Sequence, residues 1–113
     1  FLAVPGGKNT KHLINGKVFA AMQTHAILVN IARGDVVAEN DLIVALQNGQ
    51  IGGAGLDVYE FEPAIPKALI KMENVTLFPH LGTASLEIRT EMGKMALSNI
   101  KEFISSQTPT NLV

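Results

Sequence analysis

The sequence predicts an α/β fold built on a parallel sheet, and two patterns support this prediction. Short apolar segments alternate with segments in which apolar residues recur at three- and four-residue spacing. The apolar segments are nearly continuous, as expected for strands that helices cover on both faces. Four strands are predicted, at residues 1–4, 26–31, 53–58 and 75–78.

The segments between these strands predict short helices. Residues 10–14 and 16–22 predict one short helix or a broken pair, and residues 67–71 predict another. Residues 40–47 form a clearer helical pattern that stops at an Asn-Gly pair. Its expected buried face consists of Leu42, Ile43, Ala45 and Leu46.

A long helix is predicted after the last strand. Ser85 is a suitable N-cap, and the helical spacing continues to about Ile104. The apolar positions along one face are Ile88, Met92, Met95, Ala96, Ile100 and Phe103. Such a face requires something to pack against.

Composition excludes several classes of function. With 113 residues, 47% of them hydrophobic, the chain can form one modest domain with a core. Nine basic and ten acidic residues without a dense basic segment argue against nucleic-acid binding. The absence of cysteine excludes disulfides and thiolate metal sites, and the histidines lack metal-like spacing, so no metal is expected. Apolar segments are far shorter than the roughly 20 residues that span a bilayer, so we expect a soluble, cytoplasmic protein with a small-molecule partner and no membrane contact.

Polar residues follow three predicted strands, where an open parallel sheet binds its ligands. Arg33 follows the second strand and precedes Gly34, so its planar guanidinium is placed to bind a carboxylate with two hydrogen bonds. The alternative is a surface arginine paired with Asp35 or Glu39.

His80 follows the fourth strand. Imidazole both donates and accepts a proton near neutral pH, which suits acid–base chemistry. A carboxylate would hold its tautomer, and both Asp57 and Glu62, which follow the third strand, are candidates. The alternative is a loop histidine that caps a backbone carbonyl.

Four segments in order resemble the signature regions of the D-isomer-specific 2-hydroxyacid dehydrogenases, and the resemblance covers essentially the whole chain. Each segment alone is weak evidence, but their joint order and spacing within a βαβ pattern are specific. The matching positions are Pro5 with Thr10, Leu13 and Ile14, then Asn30 to Gly34, then Asp57, Val58, Glu62 and Pro63, and finally Pro79, His80 and Gly82.

The resemblance implies a partial Rossmann-like, doubly wound parallel sheet with flanking helices. Residues 1–84 would form the C-terminal half of a nucleotide-binding domain. Residues 85–113 would form a long helix and a tail that return toward a substrate domain. The full-length protein would be a homodimer.

The resemblance also implies the roles of individual residues. His80 would be the acid–base, Glu62 the carboxylate that orients it, and Arg33 the group that binds the substrate carboxylate and polarises its carbonyl. NAD or NADP would be the cofactor, with NAD favoured. The residues expected to line the cofactor are Pro5, Ile31, Ala32, Asp57 and Gly82.

Two departures from the family pattern stand out. There is no G-x-G-x-x-G turn between a strand and a helix and no acidic residue about 20 positions later, so the phosphate-binding elements are missing and we expect a fragment that is inactive in isolation. Ala38 stands where many relatives carry a capping Asp, and we expect Asn40 to replace that cap.

The sequence therefore predicts an NAD(P)-dependent oxidoreductase that interconverts a 2-oxo acid and a D-2-hydroxy acid, with glyoxylate and hydroxypyruvate as the first substrates to consider. The alternative is a non-catalytic Rossmann-like binding or regulatory module of the same family. His12 and His25 are expected to be surface or helix-end residues, and Tyr59 and Phe61 are expected to pack the segment that carries Glu62.

Overall fold

Three parallel strands form the sheet in this computed structural model, which describes residues 1–112. They are β1 (Ile27–Asn30), β2 (Gly53–Leu56) and β3 (Val75–Leu77), in the order β1-β2-β3. Parallel neighbours require crossover connections, which the intervening helical segments provide. Because Leu56 pairs with both Asn30 and Leu77, the strands end at one common edge of the sheet.

The prediction of a full strand at residues 1–4 is wrong. Only Leu2 pairs with the sheet, through a parallel bridge to Asn30. The Leu2 N–H donates to the Val29 carbonyl at 2.8 Å, and the Leu2 carbonyl accepts from Ile31 N–H at 3.3 Å. Pro5 has no N–H to continue such a ladder, so the segment adds one bridge beside β1. The other three predicted strands are present, each one to two residues shorter at one or both ends.

The described residues contain four α-helices: α1 (Gly16–Ala21), α2 (Glu39–Gln47), α3 (Lys67–Ile70) and α4 (Leu86–Ile104). The predicted helix at residues 10–14 is instead a series of turns. α1 begins after Asn15, whose side chain accepts from Lys17 N–H at 3.1 Å. α2 buries Leu42, Ala45 and Leu46 and leaves Ile43 partly buried, much as predicted.

The apolar core lies between the sheet and its helices. Its largest fully buried apolar side chains are Phe19, Leu42, Ile51, Leu69 and Val36. Burial of each such side chain contributes about 1.5–3 kcal/mol. The core therefore holds α1, α2 and α3 to the strands that carry the polar residues at the sheet edge.

The chain divides into two compact units, residues 1–82 and a second unit that begins at Thr83. The second unit contains α4, where Ser85 accepts from Ile88 N–H at 3.2 Å, which confirms the predicted N-cap. The tail folds back on its own helix, since Glu102 accepts from Thr110 N–H at 2.7 Å. No helix within residues 1–112 has the length and apolar character needed to cross a bilayer.

Candidate active site

His80 and Glu62 form a close pair at the carboxyl edge of the sheet. Nδ1 of His80 lies 2.9 Å from Oε2 of Glu62. The other oxygen, Oε1, accepts from the backbone N–H of Tyr59 at 3.0 Å. The hydrogen bond with His80 holds the pKa of the Glu62 carboxyl below its ordinary value, against the effect of its burial. An ionised carboxylate can only accept hydrogen bonds, so Nδ1 of His80 carries the proton of this bond. Nε2 is then the ring nitrogen that Glu62 does not contact.

Asp57 has a different task from Glu62. Its buried carboxylate accepts from the N–H groups of Leu81 at 2.7 Å and of Gly82 at 2.9 Å. These bonds hold the segment that follows His80, whose own φ of 57° lies in the left-handed region. Of the two carboxylates considered from the sequence, Glu62 therefore contacts the histidine and Asp57 supports its backbone.

Arg33 lies at the end of the segment that follows β1. Its Nη1 donates to the carbonyl of Ala32 at 2.7 Å, and within the described chain it makes no ion pair with Asp35 or Glu39. The guanidinium therefore keeps donors that are not used by the carboxylates near it in sequence.

Asn30 holds the backbone that presents Arg33. Only 1% of this residue is exposed. Its Oδ1 accepts from Ala32 N–H at 3.0 Å, and its Nδ2 donates to the Arg33 carbonyl at 3.0 Å. From the sequence, Asn30 was expected only as part of the motif from Asn30 to Gly34. Its position as the one polar residue at the end of an apolar strand was the available signal.

Gly34 allows two functional segments to come together. A Cβ atom at this position would lie 1.9 Å from the backbone carbon and oxygen of Tyr59, a distance no side chain tolerates. The segment with Arg33 therefore packs directly on the segment with Glu62. Together with His80, in the segment that follows β3, they line an open cleft of about 330 Å³. Its lining residues are Arg33, Gly34, Asp35, Tyr59, Glu60, Phe61, Glu62 and His80.

Tyr59 and Phe61 differ in their environment. Tyr59 is buried, and its hydroxyl donates to the Phe78 carbonyl at 2.8 Å. Burial raises the pKa of its phenol, which stays a donor. Phe61 is 66% exposed, so the prediction that it packs this segment is wrong. The segment is anchored by Tyr59, whose ring occupies the interior side.

A second cluster joins three segments next to the cleft. Nε2 of His12 lies 2.7 Å from Oε1 of Glu60, so His12 is more than a surface residue. Oε2 of Glu60 accepts from Glu39 N–H at 3.2 Å, at the start of α2. Ala38 offers no capping side chain there, and the expectation that Asn40 replaces it is wrong. Glu60, 21 residues away in sequence, supplies the acceptor instead.

The residues predicted to line the cofactor lie at the same edge of the sheet. Pro5, Ile31 and Gly82 are exposed, whereas Ala32 and Asp57 are buried. Both backbone groups of Ala32 are already used, its N–H by Asn30 and its carbonyl by Arg33. Ala32 therefore has no free backbone donor to offer a ligand.

Residues 1–82 match the family model described as D-isomer specific 2-hydroxyacid dehydrogenase, NAD binding domain. The chain belongs to this dehydrogenase family. The resemblance inferred from the motifs is confirmed, and so is the predicted α/β fold class.

Relatives of this dehydrogenase chain include reductases of small 2-oxo acids. A glyoxylate reductase from Pyrococcus horikoshii is 46% identical over 112 residues, which cover 99% of this chain and 34% of that protein. The NADPH-dependent glyoxylate/hydroxypyruvate reductase of Sinorhizobium meliloti, solved with NADP and malonate, has a TM-score of 0.91 at 41% identity, covering 96% of this chain and 35% of that one. D-lactate dehydrogenase with NAD⁺ from Lactobacillus jensenii has a TM-score of 0.84 at 28% identity, covering 97% and 37%. The chain thus spans about one third of the length of these relatives.

Proposed function

We propose that the complete protein carrying this chain is an NAD(P)-dependent oxidoreductase that interconverts a 2-oxo acid and a D-2-hydroxy acid. The observation that supports this most directly is the His80–Glu62 pair, 2.9 Å apart, in the same cleft as Arg33. An oriented imidazole and a guanidinium are the groups that reduction of a 2-oxo acid requires.

His80 is the proposed acid–base. With Nδ1 held by Glu62, its Nε2 gives a proton to the alkoxide that develops from the substrate carbonyl. In the reverse direction the neutral Nε2 removes the hydroxyl proton. A nicotinamide cofactor, when bound, would supply the hydride for the reduction or accept it in the reverse direction.

Arg33 is the proposed substrate-binding group. Its guanidinium pairs with the substrate carboxylate in a planar, two-bond geometry and stabilises the negative charge that develops on the neighbouring oxygen. Asn30 positions it indirectly by holding the Ala32 and Arg33 backbone.

The sheet edge fits the nicotinamide end of a dinucleotide. Ile31 offers a half-exposed apolar side chain, and the exposed Gly82 carries no side chain that would cover the edge beside Asp57. Pro5, Ile31, Asp57 and Gly82 are the residues we propose for this contact, and Ala32 would contribute only through the shape of its backbone. We propose NAD or NADP as the cofactor, with NAD to be tested first, since the family is described by its NAD binding domain and relatives were solved with NADP and with NAD⁺.

We propose a small 2-oxo acid such as glyoxylate or hydroxypyruvate as substrate, because relatives named for these reactions are among the most similar. The full-length protein is proposed to be a homodimer, as expected from the family resemblance. Light scattering of the complete protein tests that assembly.

The decisive experiment replaces His80 in the complete protein. Asn is the suitable replacement because it tolerates the left-handed φ of 57° better than Ala. We expect His80→Asn to lower kcat for glyoxylate reduction by about 10²- to 10⁴-fold with NADH binding retained in a fluorescence titration. His25→Ala, at an exposed histidine outside the cleft, is the control. Absence of turnover in the natural protein with a panel of 2-oxo acids and both cofactors would instead indicate a binding or regulatory module.

A further inference from the structure

Glu60 makes an unusual set of contacts for a residue two positions before Glu62. Its side chain is only 12% exposed. Oε1 meets Nε2 of His12 at 2.7 Å, and Oε2 accepts from Glu39 N–H at 3.2 Å. Its own N–H donates to Oε2 of Glu39 at 3.3 Å. Both the backbone and the carboxylate of Glu60 are thus attached to other segments.

We propose that Glu60 is a positioning residue for the reaction, which holds the Tyr59–Glu62 segment so that Glu62 meets His80. This inference rests on the proposed function of the His80–Glu62 pair. Glu60 does not contact the reacting atoms, and it acts through the placement of Glu62.

The start of α2 is a suitable anchor for a carboxylate. Ala38 provides no side-chain cap, so the first amide of the helix needs an acceptor from elsewhere. The positive end of the helix dipole favours an anion at this place. Burial alone would raise the pKa of the Glu60 carboxyl, but the bonds from His12 and the Glu39 amide outweigh burial and hold that pKa below its ordinary value. Glu60 is therefore held as an anion.

Two anchors hold the chain just before Glu62. Tyr59 ties it to the Phe78 carbonyl, next to β3, and Glu60 ties it to the start of α2. Phe61, which connects Glu60 to Glu62, is exposed, and more than a third of the Glu62 side chain is accessible to solvent. The Glu62 carboxylate also accepts from the Tyr59 N–H, so both anchors bear on where it lies. Loss of one anchor should allow Glu62 to move away from His80.

A double-mutant cycle in the complete protein separates positioning from general stability. We expect Glu60→Ala to lower kcat roughly 10-fold or more with little change in KM for the 2-oxo acid, because misplacement by about 1 Å is costly for catalysis. In a Glu62→Gln background the same change should have almost no further effect on kcat, because the group that it positions is already gone. Glu60→Gln, which can still accept from the Glu39 amide, should recover most of the rate.

The outcomes are distinguishable. Equal losses of kcat from Glu60→Ala in the natural and Glu62→Gln backgrounds would overturn the positioning role, as would full activity of Glu60→Ala. If Glu60→Ala fails to fold in a thermal melt, the cycle is repeated with His12→Gln, which removes one of the two contacts of the Glu60 carboxylate and should lower kcat less, and only in the natural background. Glu73→Ala, at an exposed carboxylate in the same unit, is the control. Failure of the proposed function would appear separately, as full turnover in His80→Asn.

Discussion

At the scale of single residues, the site depends on side chains that bond to backbone. Asn30 holds the segment of Arg33, Asp57 holds the segment of His80, and Tyr59 donates its N–H to Glu62. Each bond fixes a loop whose functional side chain is at least partly exposed. Each such hydrogen bond contributes about 1 kcal/mol to the free energy of unfolding. Removing one partner costs more, because the other polar group is left unpaired.

Gly34 leads to a stability prediction at this scale. A methyl group there would overlap the Tyr59 backbone at 1.9 Å, so Gly34→Ala requires the two segments to separate. We expect a loss of at least about 3 kcal/mol in the free energy of unfolding, measured by denaturant titration. Gly93→Ala is the matched control. It lies in α4 with nothing within 4 Å of its Cβ position, and should stabilise by about 0.5–1 kcal/mol. A neutral Gly34→Ala would contradict the observed packing.

At the scale of elements, the start of α2 is where helix, loop and site meet. The backbone N–H of Glu39 donates to the carboxylate of Glu60, and the backbone N–H of Glu60 donates to the carboxylate of Glu39. The exchange satisfies the first helical amide, but it also brings two carboxylates together. Burial raises the pKa of Glu39, the bond from the Glu60 N–H lowers it, and the Glu60 charge raises it, with a net increase.

This net increase gives stability a defined dependence on pH. A carboxyl whose pKa is raised by folding contributes its stability below the ordinary value of 4.5 and loses it as pH rises through the raised value. Glu39→Gln should therefore have a higher Tm than the natural protein at pH 7, with a difference that shrinks as pH falls through the raised pKa and is nearly gone below pH 4.5. Thermal melts across pH 4–8 measure it, with Glu73→Gln as the control. A constant difference across this range would argue against the raised pKa.

At the scale of the whole molecule, this chain carries one side of a cleft. It contains the proposed acid–base, its carboxylate and the arginine, but no glycine-rich phosphate-binding turn. It also spans about one third of the length of its relatives. About two thirds of the length of those relatives therefore has no counterpart among these 113 residues.

A prediction for the isolated 113 residues follows. We expect the purified polypeptide to show no measurable glyoxylate reduction with NADH or NADPH, because the phosphate-binding turn that anchors a dinucleotide is absent. The same assay on the complete protein provides the comparison. Reduction by the isolated chain at an ordinary enzymatic rate would show that the sheet edge alone binds the cofactor.

Several features were determined by the sequence alone, because they depend on residues close together in the chain. Ser85 and the apolar spacing after it predicted α4, and the near-continuous apolar segments predicted four strands, three of which form the parallel sheet. The order of Arg33, Glu62 and His80 after successive strands placed them at one sheet edge, where the structure brings all three around one cleft. Local periodicity and capping are enough for such inferences.

Tertiary structure decided which partners meet. Only the fold shows that His80 contacts Glu62 and not Asp57. It also shows that Asp57 accepts from the backbone N–H groups of Leu81 and Gly82. In the same way, only the fold brings Glu60 to the start of α2. These partners are 18 to 25 residues apart in sequence. Their contact depends on how the loops after separate strands pack together, and no local pattern encodes that packing.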